Sequence, residues 1–109
     1  MQIRPGVFVA PESEQGWEPD PEVGGEMRAL CGVDGIEAGM SRFDRDPGPI
    51  SWTLPARETF LVLEGEARIE LDGGEPITLR PGDTASFPAK TRTTWRLTTP
   101  FREFWVLAG

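Results

Sequence analysis

Glycine and proline recur along this chain too often for a long helix to form. Thirteen Gly and eleven Pro are spread through 109 residues without a fixed period. Proline removes a backbone N–H and clashes with the preceding helical turn, and glycine loses the most backbone entropy on ordering. What remains between them is a series of short segments, the pattern of an all-β domain. Four Trp and six Phe argue against disorder, because they supply the apolar area that a core requires. The length suits one domain with a single core.

The segments fall into two regions. Residues 1–26 are rich in Pro, Gly and Glu, with Ile3, Val7, Phe8, Val9 and Trp17 spaced as short extended pieces. This predicts an N-terminal arm that wraps the domain or a partner, leaving 27–109 as the β domain. The stretch from Gly25 offers one or two strands that end in the turn-rich Asp46-Pro47-Gly48-Pro49. Ala67, Ile69 and Leu71 alternate with Arg68 and Glu70, so this strand has one wet face. Asp72-Gly73-Gly74 predicts a hairpin and Pro81-Gly82 a type II turn. Trp95, Leu97 and the run from Phe101 to Leu107 supply the last strands. Phe60-Leu61-Val62-Leu63 is apolar at consecutive positions, which requires cover on both faces. One face looks into the domain; the arm or a second subunit covers the other, and the pattern predicts a homodimer.

A formal charge of −7 and a pI near 4.5 argue against nucleic acid or an anionic membrane as partner, since both reward basic surface. No stretch reaches the roughly 20 apolar residues of a membrane span, and the first residues lack the apolar run of a signal peptide. The expectation is a soluble cytoplasmic protein. Cys31 is the lone cysteine and reads as a small buried apolar residue. With no histidine in the chain, it has no imidazole to activate it as a nucleophile.

Two motifs carry a family resemblance. Glu58-Thr-Phe-Leu-Val-Leu-Glu-Gly65 has a Glu, six residues and a Gly, and Gly82-Asp-Thr-Ala-Ser-Phe-Pro88 has a Gly, five residues and a Pro. Together they resemble the two motifs of the cupin superfamily. The resemblance implies a cupin barrel, also called a jelly-roll or double-stranded β-helix, with a mouth open to solvent. It covers residues 50–107 well and the N-terminal half poorly. The run Phe87-Pro-Ala-Lys-Thr-Arg-Thr-Thr-Trp95 is similar to the histidine-poor branch that includes ureidoglycine aminohydrolase-like and ethanolamine-utilisation-like domains. The family's first two metal-binding histidines would fall near Ser51 and Thr53, or near Trp52 and Leu54, and the third near Thr93. Of the usual four ligands only Glu58 is present. One carboxylate is a poor anchor for a transition ion, so no metal and no cofactor are expected.

The resemblance also implies that Glu58 points inward, and alternation then sends Phe60 and Val62 inward with it. A Glu beside aromatic surface can have a raised pKa suited to proton transfer; equally, an arginine such as Arg42 or Arg57 could hold it. Lys90 takes a corner where the family often has glycine. It and Arg92 could bind an anion, and Trp52 and Trp95 could stack on a planar ligand. The preferred reading is a metal-independent barrel that binds a small polar or planar metabolite among Trp52, Glu58, Phe60, Lys90, Arg92, Thr93 and Trp95. A second is a lyase, isomerase or amidohydrolase using Glu58 as acid/base, with Lys90 or Arg92 stabilising charge. A third is a scaffold whose barrel is filled by its own side chains.

Overall fold

The computed structural model describes residues 2–11 and 14–109; Met1, Glu12 and Ser13 of the expected arm lie outside the described residues. The described residues form ten strands: β1 (Gln2–Arg4), β2 (Val7–Phe8), β3 (Glu18–Pro19), β4 (Glu26–Val33), β5 (Ile36–Phe43), β6 (Ile50–Thr53), β7 (Arg57–Leu71), β8 (Pro76–Leu79), β9 (Thr84–Phe87) and β10 (Arg92–Ala108). Among them no helix is long and apolar enough to cross a membrane. β1 and β2 pair only with each other. The remaining strands follow the order β3-β4-β5-β10-β7-β8, with β6 added to β10 and β9 to β7, and every pairing is antiparallel.

Turn chemistry sets these registers. The stretch from Gly25 forms two strands joined at Asp34-Gly35, where φ is +57° and +76°. Two successive positive φ angles are what a two-residue hairpin turn needs to match the right-handed strand twist. Asp72 and Gly73 repeat this geometry at the end of β7, and the Gly74 N–H donates to the Leu71 carbonyl at 2.8 Å. At Arg80-Pro81-Gly82-Asp83 the Asp83 N–H reaches the Arg80 carbonyl at 2.9 Å with Gly82 at φ +93°. That is the type II turn the Pro-Gly pair predicts.

The two long strands organise the domain. β7 pairs with β9 through Glu58–Leu61 and with β8 through Ala67–Glu70, while β10 pairs with β5 at one end and β6 at the other. Each therefore takes part in both halves of the molecule. The turn between halves comes at Gly65, at φ +77°, where the β7–β10 register shifts. Burial changes phase there: Glu58, Phe60 and Val62 are buried before it, and Ala67 and Ile69 after it. The extra backbone step lets one strand present its apolar side to the interior in both halves.

The core gathers Phe43, Leu54, Phe60, Val62, Ile69 and Phe87 with Trp95, Leu97, Phe101 and Trp105 of β10. Phe60 is almost fully buried, lying 5.6 Å from Phe87 edge-on and 5.1 Å from Trp95. Burying such a ring contributes about 2–3 kcal/mol. Cys31, read from the sequence as buried, is half-buried on β4.

The N-terminal segment adds to the edge of this sheet. β3 pairs with β4, and Trp17 lies under the guanidinium groups of Arg28 and Arg42, 5.2 and 4.2 Å from its ring centre. Arg42 also pairs with Glu14 at 2.9 Å and Glu26 at 3.0 Å. Asp20 then closes a turn by accepting the N–H groups of Glu22 and Val23, and Val23 packs against the core. This path does not cover the outward side of Phe60–Leu63: Leu63 remains 37% exposed.

Candidate active site: a carboxyl pair in an indole-walled cavity

Alternation along β7 and β10 aims two glutamates at the same interior space. Glu58 follows the inward phase of Phe60 and Val62, and Glu103 shares a face with Phe101 and Trp105; both glutamates are only 6% exposed. They open onto a cavity of about 260 Å³ whose apolar walls include Trp52, Trp95, Trp105, Ile50, Phe101 and Leu107. The turn after β3 closes one side with Pro21 and Val23. Its other ionisable lining groups are Asp20 and Glu22 from that turn and Glu37 from β5. Among the described residues no lysine or arginine lines it.

Hydrogen bonds hold the walls. The Trp52 indole N–H donates to Glu58 Oε1 at 3.3 Å. Thr93 donates its hydroxyl to the Trp52 carbonyl at 2.6 Å and accepts the Trp95 indole N–H at 2.8 Å. Across the cavity the Trp105 indole donates to Ser41 Oγ at 2.9 Å. All three indoles are thus oriented by a polar partner at one end and present apolar surface to the cavity. Glu103 Oε2 is buried with no hydrogen-bond partner among the described residues. Such an oxygen costs roughly 1–3 kcal/mol unless something meets it.

The two carboxyls titrate far from their ordinary range. Burial pushes Glu58 up to about 7, and the hydrogen bond from Trp52 opposes part of the rise. Burial, reinforced by the Glu58 charge, pushes Glu103 well above the usual carboxylate range. Near neutral pH Glu58 is close to half ionised, while Glu103, raised by burial and by the Glu58 charge, holds its proton more strongly than an ordinary carboxyl does. One carboxyl that can donate and one that can accept now face one space.

The expected site residues divide. Trp52, Glu58 and Trp95 line the cavity. Phe60 sits behind the wall, packed between Phe87 and Trp95. Thr93 is buried as the joint between two tryptophans rather than open to the cavity. Lys90 and Arg92 are exposed and outside the cavity lining. Lys90 holds a left-handed corner at φ +71°, which places its N–H on the Leu54 carbonyl, and Arg92 lies along Asp72. Both therefore lie outside the cavity lining, apart from the other expected site residues. Neither suggested arginine holds Glu58: Arg42 pairs with Glu14 and Glu26, and Arg57 donates to Ser86. Glu103 was not among the expected residues, although its signal was present. In Phe101-Arg-Glu-Phe-Trp-Val-Leu107 it occupies the apolar phase of an alternating strand.

Residues 38–104 match the EutQ-like cupin domain. The chain belongs to the EutQ-like cupin family. This EutQ-like cupin has the all-β jelly-roll of that superfamily, and solved structures agree on the fold. A structure assigned as ethanolamine utilization protein Q of Salmonella typhimurium LT2 has a TM-score of 0.74 at 19% identity, covering 94% of each chain. EutQ of Clostridium difficile has a TM-score of 0.68 at 19% identity over 88% of this chain and 78% of its own. KdgF of a Halomonas species has a TM-score of 0.69 at 20% identity over 94% and 92%. No curated protein matches the sequence.

The residues of this cupin do not fit the transition-metal centre that the fold implies. Of the two alignments for the first histidine pair, the inward-facing positions are Trp52 and Leu54, with Ser51 and Thr53 exposed. Trp52 offers an N–H donor already used on Glu58, Leu54 has no ligand atom, and the Thr93 hydroxyl is occupied. Of the carboxyls in the cavity, Glu58 and Glu103 are raised toward their protonated forms, and no group of three His, Cys, Asp or Glu suited to a metal exists among the described residues. Imidazole sites for such ions need neutral nitrogen donors and ionised carboxylates.

Proposed function

We propose that this cupin binds a small polar or planar molecule in the indole-walled cavity without a metal ion, with Glu58 and Glu103 holding its polar end. The observation that carries this reading is the buried Glu103 Oε2, unpartnered among the described residues on a side chain that lines the cavity, a polar atom that a ligand would satisfy. The open volume speaks against a scaffold barrel filled by its own side chains. Acidic lining without a cation disfavours a carboxylate- or phosphate-bearing ligand, which would meet like charge in a low-dielectric space.

A second reading is favoured by the divided protonation of the carboxyls: Glu58 as base and Glu103 as acid in an isomerase- or lyase-type proton transfer. Glu103 then takes the part first assigned to Lys90 or Arg92. One experiment addresses both readings. In a thermal-shift screen of small polar metabolites, a ligand at about 100 times its Kd should stabilise the fold by about 2.7 kcal/mol. Glu103→Gln should reduce the shift of a ligand that its carboxyl holds, and Lys90→Gly should leave the shift intact. A screen in which nothing stabilises the protein counts against binding. Turnover of a hit followed by NMR and lost in Glu58→Gln favours catalysis, and an unchanged hit favours binding.

The homodimer belongs to the same proposal. A second copy over Leu63 would cover the apolar strand face that the N-terminal segment leaves open, and sedimentation at micromolar concentration should return twice the chain mass. A monomer throughout that range excludes it.

A further inference from the structure

We infer that the group taken by this cavity is an organic ammonium, seated between the Glu58 and Glu103 carboxyls with its carbon skeleton against the indoles of Trp52, Trp95 and Trp105. The inference rests on the binding reading above and narrows it to a ligand class.

Three independent features converge on a cation. First, the ionisable groups facing the space are Glu58 from β7, Glu103 from β10, Glu37 from β5, and Asp20 and Glu22 from the turn after β3. No basic side chain among the described residues answers them there, so the potential in the cavity is negative and a cation is drawn to it. Second, three indoles line the walls, and tryptophan is the side chain whose ring face attracts cations best, by about 0.5–2 kcal/mol as solvent is excluded. Third, Glu103 Oε2 is buried without a hydrogen-bond partner among the described residues on a side chain that lines the cavity, and an ammonium brings the N–H donors that such an oxygen lacks.

Charge balance supplies the mechanism of selectivity. Burial raises the pKa of Glu58 to about 7, and burial together with the Glu58 charge raises that of Glu103, so both hold their protons more strongly than exposed carboxyls do. A cation placed between them reverses the sign of the local field and favours their ionised forms. Binding is therefore coupled to loss of protons from the pair, and a neutral isostere gains nothing from that exchange.

Isothermal titration calorimetry with benzylammonium, benzyl alcohol and benzoate tests this on the full chain. At about pH 8 benzylammonium should bind at least about 10-fold more tightly than benzyl alcohol, and benzoate weakest, with tenfold corresponding to about 1.4 kcal/mol. Its affinity should rise from about pH 5.5 to about pH 8, where the amine remains protonated but the carboxyls ionise. Titrations in buffers of different ionisation enthalpy should show proton release. Glu103→Gln should lower benzylammonium affinity by about tenfold and leave benzyl alcohol within about twofold, which also reports an intact cavity. Benzyl alcohol or benzoate binding as well as benzylammonium, or equal loss of all probes in the variant, overturns the ammonium assignment while the binding reading stands. Failure of all three probes overturns both.

Discussion

Gly65→Ala is expected to remove a large share of the stability of this domain. Gly65 lies at φ +77°, and a Cβ there would run into the carbonyl oxygens of Thr98 and Pro100, with the Phe101 Cα at 3.0 Å. The left-handed backbone alone costs a side chain about 1–2 kcal/mol. Overpacking against fixed neighbours adds about 1–3 kcal/mol, and these neighbours are backbone atoms of β10 that cannot rotate away. The loss should therefore be about 2–5 kcal/mol, against roughly 5–15 kcal/mol for a whole domain. Gly82→Ala is the internal comparison. It has φ +93° but open space around the added Cβ, so only the backbone cost of about 1–2 kcal/mol applies. Urea unfolding should show a much lower midpoint for Gly65→Ala than for Gly82→Ala; equal midpoints would remove the corner argument. The site is affected too, because Gly65 sets the phase that brings Glu58 inside.

Stability should fall as pH rises from about 4.5 through neutrality, and Glu58→Gln should relieve much of that fall. Unfolded Glu58 releases its proton near 4.5 and folded Glu58 near 7. Between these values the native state holds more protons than the unfolded chain, so raising pH favours unfolding. The stabilisation is complete below about 4.5 and lost as pH passes about 7, amounting to about 3 kcal/mol. Glu103, raised by burial and by Glu58, extends the decline above that window. Glu58→Gln keeps an acceptor for the Trp52 indole but has no charge to bury. Its advantage over the natural protein should be small near pH 4.5 and reach about 3 kcal/mol by about pH 8, while the double change with Glu103→Gln should be flatter still. Chemical denaturation across this range checks it, and parallel curves for protein and variants would contradict the buried-pair description. A bound ammonium ligand should restore stability at the alkaline end.

Much of the fold was legible because its signals are local. Alternation from Ala67 to Leu71, the Asp72-Gly73 turn and the Pro81-Gly82 turn each follow from backbone chemistry within a few residues, and the Glu58–Gly65 and Gly82–Pro88 spacings pointed to the family. Asp34-Gly35 carried the same kind of signal and divides the early strands as that dipeptide should. Glu103 was legible in principle, since it interrupts the apolar phase of β10.

The site itself was decided by contacts remote in sequence. The hydroxyl of Thr93 reaches Trp52 across 41 positions, and the indole of Trp105 reaches Ser41 across 64. Lys90 and Arg92 stand next to Thr93 in sequence yet remain outside the cavity, because the left-handed corner at Lys90 and the Asp72 partner of Arg92 hold them on the exterior. Local pattern thus determined strands and turns, since side-chain alternation and φ preference act over a few residues, and the family spacing implied the inward direction of Glu58. Only tertiary structure decided that Glu58 and Glu103 line one cavity with three indoles, because that depends on how two long strands turn at Gly65 and are paired.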